Sequence, residues 1–466
     1  MKHTTENPSF NSCILSAVKI AGCMTLVVSM SATAQSDMDG QQTQNGGYIN
    51  PGYVNQNGMV SDNIFGVKNL AYYGDWDSNR VFVIDVDDMS LLVTVENTGD
   101  GPYGIDQQGV EKAYALTRRT ESLTVVDNYT IENIGYIPLS HKPRSTHYRA
   151  ENGLTLVSGG DKAMSSVIRT DLDMVIGEVG ENELTMPMDF GGSLSTGHPQ
   201  WVDNRAFFML DRADRSIQLW NRDGDLLSSL ATPTSVHHVF QSPAALAGGE
   251  EKHIYYAIIE GNQEELIAPG ILRFEISGGQ LVQTGLVFLD TYSRPSHNLD
   301  ASGEYNASAT TDLDPAIMGA HHADFHPDGI SIYVGSAEGH LFIVNKDSLE
   351  IETMLDTGPG SGHTTFIPAR NLAIVTNHNA TYMSVIDTEK RYLVKNIEVA
   401  DSASPDYKSQ AHTSGVSLDE RYFYSAASHD GNFFRIDLDT WELSKLHTGG
   451  NILMGSFIWD GEGENM

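Results

Sequence analysis

Six segments of this chain open on a histidine: Ser-Thr-His147, Thr-Gly-His198, Val-His237-His238, Ala-His321-His322, Ser-Gly-His363 and Gln-Ala-His412. Behind each come a polar turn, a small-residue apolar run, a second polar turn and another apolar run, usually closed by Asp or Asn. The intervals are regular: 24 residues from His147 to Asp171, 23 from His198 to Asn221, 23 from His322 to Asn345, 24 from His363 to Asp387 and 25 from His412 to Asp437. A histidine fixed at one phase of a repeat comes to one level of a symmetric fold, so the spacing predicts six gathered imidazoles. Imidazole is the commonest metal-binding side chain near neutral pH and suits Zn, Cu, Fe or Ni. One tetrahedral zinc uses three or four ligands. Six therefore point to two or three ions, or to a ring of which only part binds. In the two His-His pairs the spacing selects His238 and His322, which gives His147, His198, His238, His322, His363 and His412 as the metal set. A strand-entry histidine can also simply hydrogen-bond its neighbour. Six in one phase weigh against that, because buried imidazoles need partners.

The elements that must position these residues are short strands. Leu341-Phe342-Ile343-Val344 and Tyr382-Met383-Ser384-Val385-Ile386 are typical, punctuated by Pro-Asp-Gly and Asn-Gly turns. No segment sustains a period of 3.6, so helices should be few. Two more units share the shape without the histidine. Tyr103 precedes Asp127 by 24 residues, and the front unit, around Leu70–Gly74 and Val81–Asp85, lacks its first strand. Ile452–Phe457 supplies that strand from the far end of the chain. Units of roughly 40 to 50 residues, each of four short strands, predict an all-β, single β-propeller of eight blades, or seven if one unit is irregular. The two termini close the ring, which removes open sheet edges.

Residues 1–34 read as a secretory signal, with Ala32-Thr33-Ala34 as a cleavage site, residues 35–65 as a Gln/Asn/Gly-rich linker, and residues 66–466 as the propeller. This places the protein in the periplasm or outside the cell. Ile20-Ala21-Gly22-Cys23 offers a rival lipoprotein reading. Both cysteines, Cys13 and Cys23, fall inside the signal, so thiolate ligands and a blue-copper centre are excluded from the mature chain. No stretch is apolar enough over the needed length to span a membrane. Sixty-one Asp and Glu against 28 Lys and Arg, a formal charge of −33, exclude nucleic acid as a partner.

In a propeller blade the end of the second strand shares a face with the start of the first. That turn holds Arg118-Arg119, Asp161-Lys162, Asp211-Arg212, Glu260, Glu338-Gly339-His340, Asn377-His378 and His429-Asp430 in successive units. The mouth displaying the histidine ring should therefore also carry carboxylates, a few cations and three further histidines.

The chain resembles bacterial periplasmic propellers of the YVTN type, in units such as Ile374-Val375-Thr376-Asn377 followed by Val385-Ile386-Asp387. It is similar to those members that carry metal on channel histidines: the nitrous oxide reductase propeller, the copper-dependent thiocyanate dehydrogenases and the periplasmic zinc-chaperone propellers. The resemblance implies copper or zinc on the six histidines. It departs from nitrous oxide reductases in lacking a cysteine-bearing cupredoxin domain. It departs from the zinc chaperones in a linker, 35–63, that has no histidine. Thiocyanate dehydrogenases pair six histidines with acidic and basic catalytic residues, which implies Glu260 and Asp430 as carboxylates and Lys162 or Arg119 as the cation. Two metal roles stay open: copper-dependent oxidation of a small molecule, and metal handling with a periplasmic partner protein. A non-metal recognition scaffold is the alternative.

Overall fold

The computed structural model describes residues 63–184, 195–241, 253–292, 313–320, 322–403 and 408–459. The signal, nearly all of the linker, both cysteines and His321 lie outside the described residues. These residues form 32 strands, numbered β1 to β32 in chain order, arranged as eight four-stranded antiparallel sheets, the blades of a β-propeller. Seven blades are built from consecutive strands. The remaining one joins β32 (Ile452–Ile458) to β1 (Leu70–Asp75), β2 (Arg80–Asp85) and β3 (Ser90–Glu96). The ring is thus closed by both ends of the described chain. β32 pairs antiparallel with β1 from Leu70↔Ile458 to Asp75↔Ile452 and is buried along its whole length.

The repeat has a local cause. The last residue of each third strand is an Asp or Asn in six blades, and its side chain accepts backbone N–H groups from the turn it begins. Asp85 takes those of Asp87 and Asp88, Asp127 those of Tyr129 and Thr130, Asn345 those of Asp347 and Ser348, and Asp437 those of Asp439 and Thr440. Four residues after that Asx the chain turns left-handed, at Met89, Ile131, Leu349, Arg391 and Trp441. The turn fixes where the fourth strand starts, and so fixes the register of the blade.

The first strands, β4 (Pro102–Gln108), β8 (Pro143–Arg149), β12 (Gln200–Trp201), β16 (Val236–Gln241), β20 (His322–Phe325), β24 (Ser361–Ile367), β28 (Gly415–Val416) and β32, form the inner ring. Several start with a bulge, where the first pair slips by one or two residues. The bulges hold Tyr103 in β4, Arg144 in β8, His237 and His238 in β16, and Gly362 and His363 in β24. A bulge leaves its residue unpaired in the ladder and re-aims its side chain. Apolar clusters pack blade against blade. One gathers Tyr73, Phe433, Phe457 and Trp459 across the closure, with the rings of Phe457 and Trp459 stacked at 5.3 Å.

The structure corrects the phase of one unit. Asp171 is not the end of a third strand: β10 (Lys162–Arg169) ends two residues earlier, and Asp171 lies in the turn beyond it, paired with Arg169. Counting back from Asp171 therefore lands on His147, three residues past the bulge, where Arg144 stands. Shifts of three residues at one end and two at the other leave the interval within one residue of its value, 24 instead of 25.

Candidate metal centre

Buried histidines converge from the inner ring and the turn beside it, delivered by several local devices. His322 opens β20, and His363 and His237 come from bulges. His198 lies two residues before β12 and is tied to β16 by its backbone N–H, which donates to the His237 carbonyl at 2.8 Å. His412 precedes β28, its N–H donating to the Leu453 carbonyl of the closing strand at 3.1 Å. His378 follows β25 (Leu372–Asn377), in the turn at the end of a second strand. One nitrogen from each of His322, His378 and His412 lies within 4.8 Å of the others. Nitrogens bound at 2.0–2.1 Å to a tetrahedral ion stand about 3.3–3.4 Å apart. A modest contraction would close the three on one ion.

A hydrogen bond assigns the lone-pair nitrogen of one of the three. His378 donates from Nδ1 to the Gln410 carbonyl at 3.1 Å, which leaves Nε2 as its lone-pair nitrogen. Gln410 itself is locked: its amide donates to the carbonyls of Ala380 and Tyr382, and its oxygen accepts the Asn377 N–H. His412 faces His322 through Nδ1, at 3.0 Å from His322 Nε2, while its Nε2 meets the Lys408 ammonium. Around this trio the rings continue. His363 lies 3.4 Å from His322 between centroids, His237 lies 5.2 Å from His322, and His198 lies 5.0 Å from His237. Burial, followed by the nearby charge of Lys408, holds His363 and His378 well below the ordinary imidazole range. Burial, and then Arg144, does the same to His198. Neutral imidazole is the form that ligates.

Carboxylates back two of the histidines. Asp324, fully buried, accepts the Thr364 N–H at 2.7 Å and lies 3.5 Å from His363 Nδ1. Glu260 accepts from His237 Nδ1 at 2.9 Å and holds Arg212 at 2.7 Å. A hydrogen-bonded carboxylate such as Glu260 fixes a ligand's tautomer and ring orientation. Three cations also reach the group. The Arg118 guanidinium lies 3.3 Å over the Tyr103 ring and donates to the Arg144 carbonyl at 2.9 Å. Arg144 Nη2 lies 3.3 Å from His237 Nε2. Burial alone would push the Tyr103 phenol up, but Lys408, Arg118 and Arg144 outweigh it and hold it below its usual value.

Of the residues singled out in the sequence, the structure draws His198, His238, His322, His363 and His412 together, with His238 at 6.1 Å from His198 and at 5.2 Å from Phe240. Its neighbour His237 is the one that meets His322. His147 has a different setting: its Nδ1 accepts the Trp201 N–H at 3.1 Å, and its carbonyl accepts the Trp201 indole at 3.0 Å. Glu260 lies beside His237. Asp430 instead accepts the Asp401 N–H at 2.5 Å and the Ser402 hydroxyl at 3.1 Å. The Lys162 ammonium donates to the Ser140 carbonyl and lies 3.8 Å from Glu121. Both hold loops in place. The functional candidates missed were His237, Tyr103, Arg144 and Lys408. His378 was visible at the mouth from strand alternation, but was not counted as a ligand.

Gly362 makes room for His378. A Cβ at that position would strike the imidazole, with Cδ2 at 2.8 Å and Nε2 nearer still. Gly362→Ala is expected to displace that ring and weaken metal binding about ten- to a hundredfold, the range for changes that disturb ligand orientation. Competition against a chromogenic chelator measures it. Unchanged affinity would show that Nε2 of His378 is not a ligand.

No protein-family model matches the chain, and no curated protein matches it in sequence. Solved structures match its fold. Apo AztD from Citrobacter koseri superposes with a TM-score of 0.55 at 12% identity, over 84% of this chain and 97% of that one. A second Citrobacter koseri AztD structure gives 0.57 at 11%, with the same coverage. Dihydro-heme d1 dehydrogenase NirN in complex with DHE gives 0.57 at 12%, over 87% of this chain and 80% of that one. At these identities the likeness establishes the propeller fold. Among the described residues no helix is long and apolar enough to cross a membrane.

Proposed function

We propose that this protein is a periplasmic or secreted metal-binding propeller that holds copper or zinc at His322, His378 and His412. The observation that carries this reading is the convergence of three buried imidazoles within 4.8 Å. In His378 the Nδ1 donates to a backbone carbonyl, which makes Nε2 the nitrogen that would ligate an ion. A donor set of nitrogens without sulfur suits Zn(II) and Cu(II). Three protein ligands with an open fourth position are the pattern of a site that works on an exogenous ligand. Bound there, zinc would supply Lewis acidity and copper one-electron chemistry.

A second reading, a copper-dependent oxidoreductase with more than one ion, is favoured by the extra histidines. His198, His237, His238 and His363 lie in ring contact with the first three or with one another, and one tetrahedral ion cannot use seven. In that reading Glu260, beside His237, is the base; Asp430 and Lys162 would stabilise the surrounding loops. Elemental analysis of untagged protein, expressed with both metals available, separates the roles. One ion per chain is expected for metal handling and two or three for a redox cluster. Protein that emerges without either metal supports a recognition scaffold instead.

A further inference from the structure

The Lys408 ammonium abuts Nε2 of His412, and Nδ1 of the same ring lies 3.0 Å from Nε2 of His322. An ammonium has donors and no lone pair, so Nε2 of His412 is the acceptor in that contact. A neutral imidazole carries one proton, which therefore sits on Nδ1 and is donated to His322 Nε2. Two hydrogen bonds in series thus occupy a lone pair on His412 and one on His322, two of the three converging histidines. Whichever nitrogen of His412 took an ion, this arrangement would have to break. Ligation through Nε2 needs the place that the ammonium holds. Ligation through Nδ1 moves the ring proton to Nε2, where it would point at another donor. The charges add to the conflict, because an ammonium and a dication on one imidazole repel.

We propose that Lys408 is an internal lock on the metal centre: its ammonium holds His412 closed until an incoming ion displaces it, and its return favours release of the ion. This rests on the metal reading above and adds how that site is regulated. The ammonium also hydrogen-bonds the Tyr103 phenol, whose ring lies 6.3 Å from that of His412. Tyr103 keeps hold of the ammonium when His412 is taken by an ion, so the lysine retains its charge and no group need titrate. The backbone that follows Lys408 is pinned. Ser409 N–H donates to the His378 carbonyl at 2.7 Å, Ala411 N–H to the Ala426 carbonyl at 2.8 Å, and His412 N–H to the Leu453 carbonyl at 3.1 Å. The flexible four-carbon side chain therefore makes the movement, and the ligand ring stays in place. A site locked in this way binds less tightly than its three imidazoles alone would, which suits an ion that is passed on.

The probe is zinc alone, competed against a chromogenic chelator, on wild type, Lys408→Met and Lys408→Gln. Both variants should bind zinc about ten- to a hundredfold more tightly than wild type, the range for one charge-assisted hydrogen bond that no longer has to break. A lysine that merely braced the segment would give the opposite sign, because its loss would loosen His412. If one variant fails to melt cooperatively, the other decides. A second reading needs no lysine variant. In metal-free wild type with ring-15N-labelled histidine, His412 should carry its proton on Nδ1, its signals being assigned by their loss in His412→Gln. A proton on Nε2 overturns the lock. Zinc affinity that is unchanged or weaker in the folded variants also overturns it and leaves the metal site standing. Wild type and variants that alike take up no zinc overturn the metal reading together with the lock.

Discussion

His378→Ala is expected to lose tightly bound metal while keeping the fold. His378 lies in a turn after β25, outside the strand ladders, and Gln410 bridges that turn through its own amide to Asn377, Ala380 and Tyr382. Removing the imidazole leaves this bridge intact. Structural zinc sites hold their ion with roughly 10–16 kcal/mol over four ligands, about 2.5–4 kcal/mol for each. Loss of one ligand should therefore weaken affinity about a hundred- to a thousandfold. Dialysis against a chelator followed by elemental analysis gives the reading. A variant that retains its ion as wild type does would remove His378 from the site.

The second large effect is on the ring itself. Ending the chain after Asn451 removes β32 and Trp459, and with them the buried side chains of Ile452, Leu453, Met454, Phe457, Ile458 and Trp459. At about 1.5–3 kcal/mol each, these six contribute roughly 9–18 kcal/mol, as large as the whole stability of a typical domain. The truncation also exposes the edge of β1, a template for association. It takes away the Leu453 carbonyl that anchors His412 as well. The truncated chain should aggregate or show no cooperative melt by circular dichroism. A melt within a few degrees of wild type would contradict closure by β32.

Eight blades and closure by the two ends were legible because in five units the opening residue precedes the Asx turn by a near-constant 23 to 25 residues. Asp85, Asp127, Asn221, Asn345, Asp387 and Asp437 each end a third strand. That legibility failed where a blade departs from the device. Arg169, at the end of β10, has no Asx side chain, and the nearby Asp171 supplied a false mark that drew attention to His147. Bulges were the other obstacle. A slip of one or two residues at the head of β16 decides which of His237 and His238 meets His322, and nothing in the local sequence encodes the slip. Tyr103 and Arg144 occupy the same bulge position as His363, but a search on histidine alone passes over them. Lys408 lies outside every strand, so no periodicity points to it.

The most direct test is anomalous diffraction from crystals of protein loaded with zinc or copper, measured above the absorption edge of the metal. The strongest peak should lie about 2.0–2.1 Å from one nitrogen each of His322, His378 and His412. A centre empty at full metal loading, with the ion held elsewhere, would contradict it.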